Sequence, residues 1–129
     1  MNDATLKLVN QRQLVSVMNK TKWTELCNSF DCENKASPNV RYKLIYSEQE
    51  FGFSKIWWNQ LLHECEAIEW IDFKLVLREH RGNLLPDKEI DISKQIKEAL
   101  QALDIPYSVE GKNLRVWGYI SAEKSPVFV

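Results

Sequence analysis

The chain has 129 residues, a length typical of one globular domain, and we expect a single domain over residues 1–129. Hydrophobic residues make up 44 % and charged residues 27 %, which excludes a disordered chain. Seventeen Lys and Arg against eighteen Asp and Glu give a net charge of -1. This balance gives the chain no overall positive charge that would attract nucleic acid, although a local basic patch stays open, and we expect no nucleic-acid partner.

The sequence also predicts a compartment. Residues 1–5 lack the basic and apolar regions of a secretory signal, and no apolar run reaches the roughly eighteen residues of a membrane span. Three cysteines are an odd number, which is typical of free thiols in a reducing compartment. We therefore predict a cytoplasmic protein with no membrane partner.

Apolar residues recur at helical spacing in four segments of the chain. The predicted helices cover residues 5–18, 23–30, 54–65 and 92–103. Capping side chains support three of the starts. Asn19 or Thr21 precedes the second helix, Ser54 begins the third, and Asp91 or Ser93 begins the fourth.

Four other segments show the alternation of a strand. The predicted strands cover residues 40–46, 67–78, 107–110 and 114–120. The segment 67–78 is apolar on both faces, so we expect it at the centre of a sheet, with a bend because it is too long for one ordinary strand. Gly111 to Asn113 predicts the turn of a hairpin between the last two strands. The acidic stretch of Asp87 and Glu89 is predicted to be a solvated loop.

This order of elements predicts an α+β fold. We expect a small antiparallel or mixed sheet of about four strands, packed with three to four helices and closing in a C-terminal β-hairpin. The chain contains no βαβ repeat of the nucleotide-binding kind.

Three stretches of the chain carry a resemblance. They are Asn19-Lys20-Thr21-Lys22-Trp23, Ile68-Glu69-Trp70-Ile71 and Arg115-Val116-Trp117-Gly118-Tyr119. Together they resemble an uncharacterised family of small bacterial proteins, a domain of unknown function. The resemblance implies a bacterial single-domain protein and brings no activity, cofactor or catalytic residue.

The chain contains residue types that are found in metal and catalytic sites, but these residues do not have the spacing that such sites require. Cys27, Cys32, His63 and Cys65 are possible zinc ligands, yet they lack the close Cys-x2-Cys or His-x3-His pairs of zinc sites. No glycine-rich phosphate loop is present. We therefore expect no metal, no cofactor and no catalytic group.

One predicted sheet face combines aromatic and charged side chains. Its residues are Trp70, Asp72, Arg115, Trp117 and Tyr119. If the face is open, it is typical of a protein interface. If it is covered, Trp117 and Tyr119 belong to the core and Arg115 pairs with Asp72.

These patterns leave two functions open. The first is a non-catalytic protein-interaction domain, similar in role to an immunity protein or a regulator, whose partner is another protein or a second copy of the chain. The second is a small-molecule-binding protein or enzyme with a pocket between the sheet and the helix 54–65, where Trp57 and His63 lie. If the chain has this pocket, we expect the side chains of His63, Asp72 and Arg115 to lie together in it as its polar groups.

Overall fold

The helices and strands occur in the predicted order, but two of the predicted strands each split into two. The computed structural model describes residues 3–31, 38–47, 52–79, 82–86, 88–121 and 126–129. Within these ranges the helices are α1 (Asp3–Gln11), α2 (Lys20–Phe30), α3 (Trp58–His63) and α4 (Ser93–Ala102), with a 3-10 turn at Cys65–Ala67. The strands are β1 (Val15–Ser16), β2 (Val40–Leu44), β3 (Ile68–Lys74), β4 (Val76–Glu79), β5 (Lys88–Asp91), β6 (Ser108–Glu110), β7 (Asn113–Trp117) and β8 (Tyr119–Ile120).

Strand β3 is an inner strand of a four-stranded antiparallel sheet with the order β2-β3-β7-β6. All of its residues except Lys74 are buried. A bend at Leu75 separates β3 from β4, which pairs with β5 in a second sheet. The α+β class, the four-stranded sheet, the bend and the hairpin of β6 and β7 are therefore confirmed.

The main core lies between this sheet and the helices. The ring of Phe73 on β3 packs against Phe30 of α2 and Trp58 of α3, with ring centroids 4.9 Å and 6.2 Å apart. Helix α4 contributes Ile96 and Leu100, which are also buried. Burial of apolar surface is the main favourable term in folding, so this cluster holds α2, α3 and α4 on one face of the sheet. Leu8 and Val9 of α1 pack against a separate cluster.

Short bridges pair with both outer strands of the sheet. On the β2 side, the Val40 N–H donates to the Ser54 carbonyl at 2.9 Å, and the Ser54 N–H donates back at 3.0 Å. On the β6 side, Ser108 forms a bridge with Phe128. Each outer strand thus has a further backbone partner at one position.

The predicted helix over residues 5–18 is wrong in its second half. Helix α1 ends at Gln11, and Gln13 has a left-handed backbone with φ of 52°. A non-glycine residue in that region does not continue a helix, so the chain turns and Val15 pairs with β8. Of the apolar residues that follow the turn, Val15 lies in β1, while Leu14 and Met18 are buried in the two cores.

The capping predictions have mixed outcomes. The Asn19 side chain accepts a hydrogen bond from the Lys22 N–H at 2.8 Å, as predicted for the start of α2. The Asp91 carboxylate accepts from the Ser93 N–H at 2.9 Å, but the N-cap position of α4 is Ile92 and not Asp91 or Ser93 as predicted. The cap at Ser54 is wrong, because Ser54 bridges to β2 and α3 begins only after Trp57.

The predicted loop before α4 is a strand. Glu89 lies in β5 opposite Arg78 of β4, while Asp87 lies outside the described residues. The charged side chains of β5 are exposed, so the segment lacks the alternation of apolar and polar residues by which a strand is predicted.

Candidate functional site

The carboxylate of Asp72 is the centre of a charged cluster on the sheet face opposite α2, α3 and α4. Arg41 and Arg115 lie directly across from Asp72 on the two neighbouring strands. The Arg115 Nε donates to Asp72 Oδ1 at 2.6 Å, while Arg115 Nη2 and Arg41 Nε both donate to Oδ2 at 3.0 Å. Asp72 has no exposed surface, so two guanidinium groups replace the water around one buried carboxylate.

Two tryptophans, Trp70 and Trp117, pack against the charged cluster around Asp72. Trp70 and Trp117 are cross-strand neighbours and are only 5 % and 7 % exposed. The Arg115 Cζ lies 3.9 Å from the Trp70 ring centroid, a cation–π distance. The Trp117 indole N–H donates to the Ser108 hydroxyl at 2.9 Å. The covered arrangement, with Arg115 paired to Asp72, is therefore the one that the structure has.

Tyr119 does not belong to this face. The chain bends at Gly118, and Tyr119 packs with Leu14, Ile45 and Ala67 in a second, smaller core. The Tyr119 hydroxyl donates to the Glu66 carbonyl at 2.6 Å, and burial raises the pKa of this hydroxyl. The expectation that Tyr119 shares a face with Trp117 is wrong, because the bend starts a separate strand.

A glycine is required at the bend. A Cβ at Gly118 would lie 2.0 Å from the Ile68 carbonyl oxygen, far inside any van der Waals contact. The close approach lets the Gly118 N–H donate to the Glu69 carbonyl and the Gly118 carbonyl accept from Val17. The backbone of β7 is thus fixed to β3 where the strand turns.

Glu69 is a second buried carboxylate, which the sequence patterns did not single out. The register between β2 and β3 shifts after Lys43, and Glu69 is the residue left without a cross-strand partner. Its carboxylate accepts hydrogen bonds from Lys43 and, at 2.8 Å, from Arg12. Burial raises the pKa of Glu69, but the hydrogen bonds and charges of Lys43 and Arg12 outweigh it and hold this pKa below the ordinary value.

His63 lies elsewhere, beside a cavity of about 420 Å³. The cavity is lined by Lys20, Asn59, Leu62, His63, Cys65 and Glu66. Asp72 and Arg115 are absent from this lining, so the predicted convergence of His63 with them does not occur. Burial raises the pKa of the Cys65 thiol, which keeps it protonated at neutral pH and a poor nucleophile.

Trp57 is the exposed tryptophan of this chain. It is 78 % exposed, whereas Trp23, Trp58, Trp70 and Trp117 are each at most 7 % exposed. Trp58 fills the core at the start of α3, and adjacent residues of a helix do not face the same side. Trp57 borders a groove of about 450 Å³, whose other lining residues are Tyr42, Lys55, Ile56, Gln60 and Leu61.

Among the residues that the structure describes, no group of three or more His, Cys, Asp or Glu side chains is placed to hold a metal ion. Cys27 and Cys65 are free and buried. Burial raises the pKa of Cys27 to about 12, with smaller contributions from Cys65 and Asp31. No helix in the described ranges is long and apolar enough to cross a membrane.

Comparisons with known proteins identify a family. Neither the curated proteins nor the solved structures gave a match to this chain. A protein-family model matches residues 5–123, which is most of the sequence. The expected membership of an uncharacterised family is therefore confirmed: the chain belongs to the family of unknown function DUF6678.

Proposed function

We propose that this chain is a non-catalytic protein-interaction domain of a small bacterial cytoplasmic protein, with an immunity-like or regulatory role, and that Trp57 anchors its partner. The observation that carries the proposal is the 78 % exposure of Trp57 beside a groove. Tryptophan is among the residues most enriched at the energetic centres of protein interfaces.

The surroundings of Trp57 have the composition of an interface. Tyr42 and Ile56 supply aromatic and apolar surface, while Lys55 and Gln60 supply polar groups. Interfaces combine an apolar centre with a polar rim, and the buried centre carries most of the affinity. A partner side chain inserted in the groove would bury both its own surface and that of Trp57.

The charged cluster around Asp72 is less suited to this role than the Trp57 groove. Its tryptophans are buried, and the Asp72 oxygens already accept hydrogen bonds from two arginines. A partner would have to break these contacts before it formed new ones, at a cost typical of a disrupted buried ion pair.

Burial of the free thiols Cys27 and Cys65 supports a reducing, cytoplasmic location.

Fluorescence quenching tests whether Trp57 is the contact. Because the other four tryptophans are buried, acrylamide should quench mainly Trp57, and Trp57→Phe should remove most of the quenchable emission. A protein captured from the host lysate should protect Trp57 from acrylamide. It should bind at least tenfold more weakly to Trp57→Ala, a loss of about 1.4 kcal/mol.

Leu84→Ala is the matched control, because Leu84 is 97 % exposed and apolar but does not line the groove. It should bind the partner like the parent chain. Sedimentation of the purified chain tests the second copy as partner, with Trp57→Ala expected to shift any dimer to monomer. A partner that binds both variants equally would contradict the proposal.

The cavity beside His63 favours a second candidate, small-molecule binding. Its volume of about 420 Å³ lies within the range of ligand sites, and Lys20, Asn59 and Glu66 supply polar groups of both charges. A metabolite that raises the thermal midpoint of the parent chain, but not of His63→Ala, would support this candidate. It would also speak against an exclusively protein-binding role.

A further inference from the structure

On the sheet face opposite α2, α3 and α4, two cations have donor groups with no protein acceptor among the residues that the structure describes. Arg41 on β2 lies directly opposite Asp72 on β3, and Lys74 lies two residues further along β3. Alternate residues of a strand share a face, so Arg41 and Lys74 are diagonal neighbours, with backbones about 7–8 Å apart. The register therefore places two positive side chains next to each other.

One aromatic ring holds both side chains. The Arg41 Cζ lies 4.8 Å from the centroid of the Phe53 ring, and the Lys74 Nζ lies 5.9 Å from the same centroid. Both distances fall within the range of a cation–π interaction. Phe53 is itself fixed, because the next residue, Ser54, exchanges two backbone hydrogen bonds with Val40. The two cations are therefore held in place before any ligand arrives.

The carboxylates on this face do not neutralise them. Arg41 bonds Asp72 only through Nε, and Asp72 is shared with Arg115. Within the described ranges, the terminal Nη groups of Arg41 and the Nζ of Lys74 donate to no protein acceptor and form no further ion pair. Among the described residues, Asp72 thus accepts from Arg41 and Arg115, while the outer donors of Arg41 and Lys74 are available.

We propose that Arg41, Lys74 and Phe53 form a binding site for an oxyanion, that is, a carboxylate or phosphate group. The terminal amino groups of a guanidinium form a planar fork that matches two oxygens of such a group, and the lysine ammonium adds a third donor. The arginine side chain is partly exposed, at 28 %, so a ligand reaches it from solvent. Bound negative charge would remove the repulsion between the two cations. This site lies apart from the Trp57 groove and does not depend on the proposed protein partner.

Titration with two small anions tests the site. Inorganic phosphate and succinate are added separately to the whole chain at constant ionic strength in a chloride background. Binding is followed by the NMR signals of the arginine Nε–H groups and of the backbone amides. We expect saturable shifts at Arg41 and Lys74, and the anion with the tighter binding identifies which oxyanion the site prefers.

Lys74→Gln should weaken binding about tenfold, the effect of losing one charge-assisted hydrogen bond. Lys94→Gln is the control, because it makes the same change of charge at an exposed position on α4, where the Lys94 side chain is 85 % exposed. Arg41→Lys keeps the charge but removes the fork, and it leaves Arg115 bound to Asp72. It should also weaken binding while circular dichroism stays unchanged.

Two results would overturn the site. One is a parent chain whose Arg41 and Lys74 signals do not shift saturably with either anion. The other is a Lys94→Gln chain that loses as much affinity as Lys74→Gln, since the effect would then come from net charge alone.

Discussion

Replacement of Asp72 by asparagine tests whether the charged cluster around Asp72 stabilises the fold. The side chain keeps its shape, but the amide nitrogen cannot accept a hydrogen bond and the negative charge is lost. In the structure, Oδ1 accepts from Arg115, and Oδ2 accepts from both Arg115 and Arg41. Either orientation of the amide therefore removes at least one charge-assisted hydrogen bond.

The expected loss is about 3 kcal/mol of unfolding free energy. A hydrogen bond to a charged group contributes about 1.5–3 kcal/mol, and breaking a buried ion pair costs about 3–5 kcal/mol. Asp72 has no exposed surface, but the side chains of Arg115 and Arg41 are 17 % and 28 % exposed. Solvent stabilises the two arginines in part, which places the expected value at the lower end of the range.

Urea unfolding followed by circular dichroism measures this loss. Glu89→Gln is the control, because Glu89 forms an ion pair of 3.3 Å with Arg78 in which both side chains are more than 60 % exposed. Exposed pairs contribute at most about 1 kcal/mol, so the control should lose far less stability than Asp72→Asn. A loss below about 1 kcal/mol for Asp72→Asn, or equal losses for the two variants, would refute the structural role.

Two further predictions concern stability. Gly118→Ala should cost about 3 kcal/mol, because its Cβ would meet the Ile68 carbonyl oxygen at 2.0 Å, while Gly52→Ala, with nothing within 4 Å, should change stability by less than about 0.5 kcal/mol. Urea midpoints of the two variants measure the difference, and similar midpoints would contradict the close approach. Burial raises the pKa of Cys27 from 9.0 to about 12, so the folded chain holds this proton longer than the unfolded chain. Its contribution to stability is complete below pH 9 and is lost as pH rises from about 9 to 12, and Cys27→Ala should flatten that decline in unfolding free energy. A parallel decline in both chains would show that other groups cause it.

Strand periodicity predicted the parts of the fold where one face is buried. The two-sided apolar pattern of residues 67–78 predicted an inner position in the sheet, which the structure confirms for β3. The pattern did not reveal the break at Gly118, because apolar residues continue on both sides of it. A close approach between Gly118 and the Ile68 backbone is a tertiary contact and leaves no periodic signal.

The candidate sites were predictable in part, for a similar reason. The pairing of Asp72 with Arg115 follows once the strands are in register, since opposite charges then meet across the sheet. The role of Glu69 depends on a one-residue shift of register after Lys43, which strict alternation does not anticipate. The exposure of Trp57 is consistent with the burial of its neighbour Trp58, because only one of two adjacent side chains faces the core.

The bridges at Ser54 and Phe128 have a consequence for the behaviour of the chain in concentrated solution. Free strand edges act as templates for strands of other molecules and lead to aggregation. Here a single-residue bridge covers part of each outer strand of the four-stranded sheet. Resistance to aggregation therefore depends partly on these two short contacts. Proline at Ser54 would remove an N–H that bonds Val40, so light scattering should show faster aggregation of that variant.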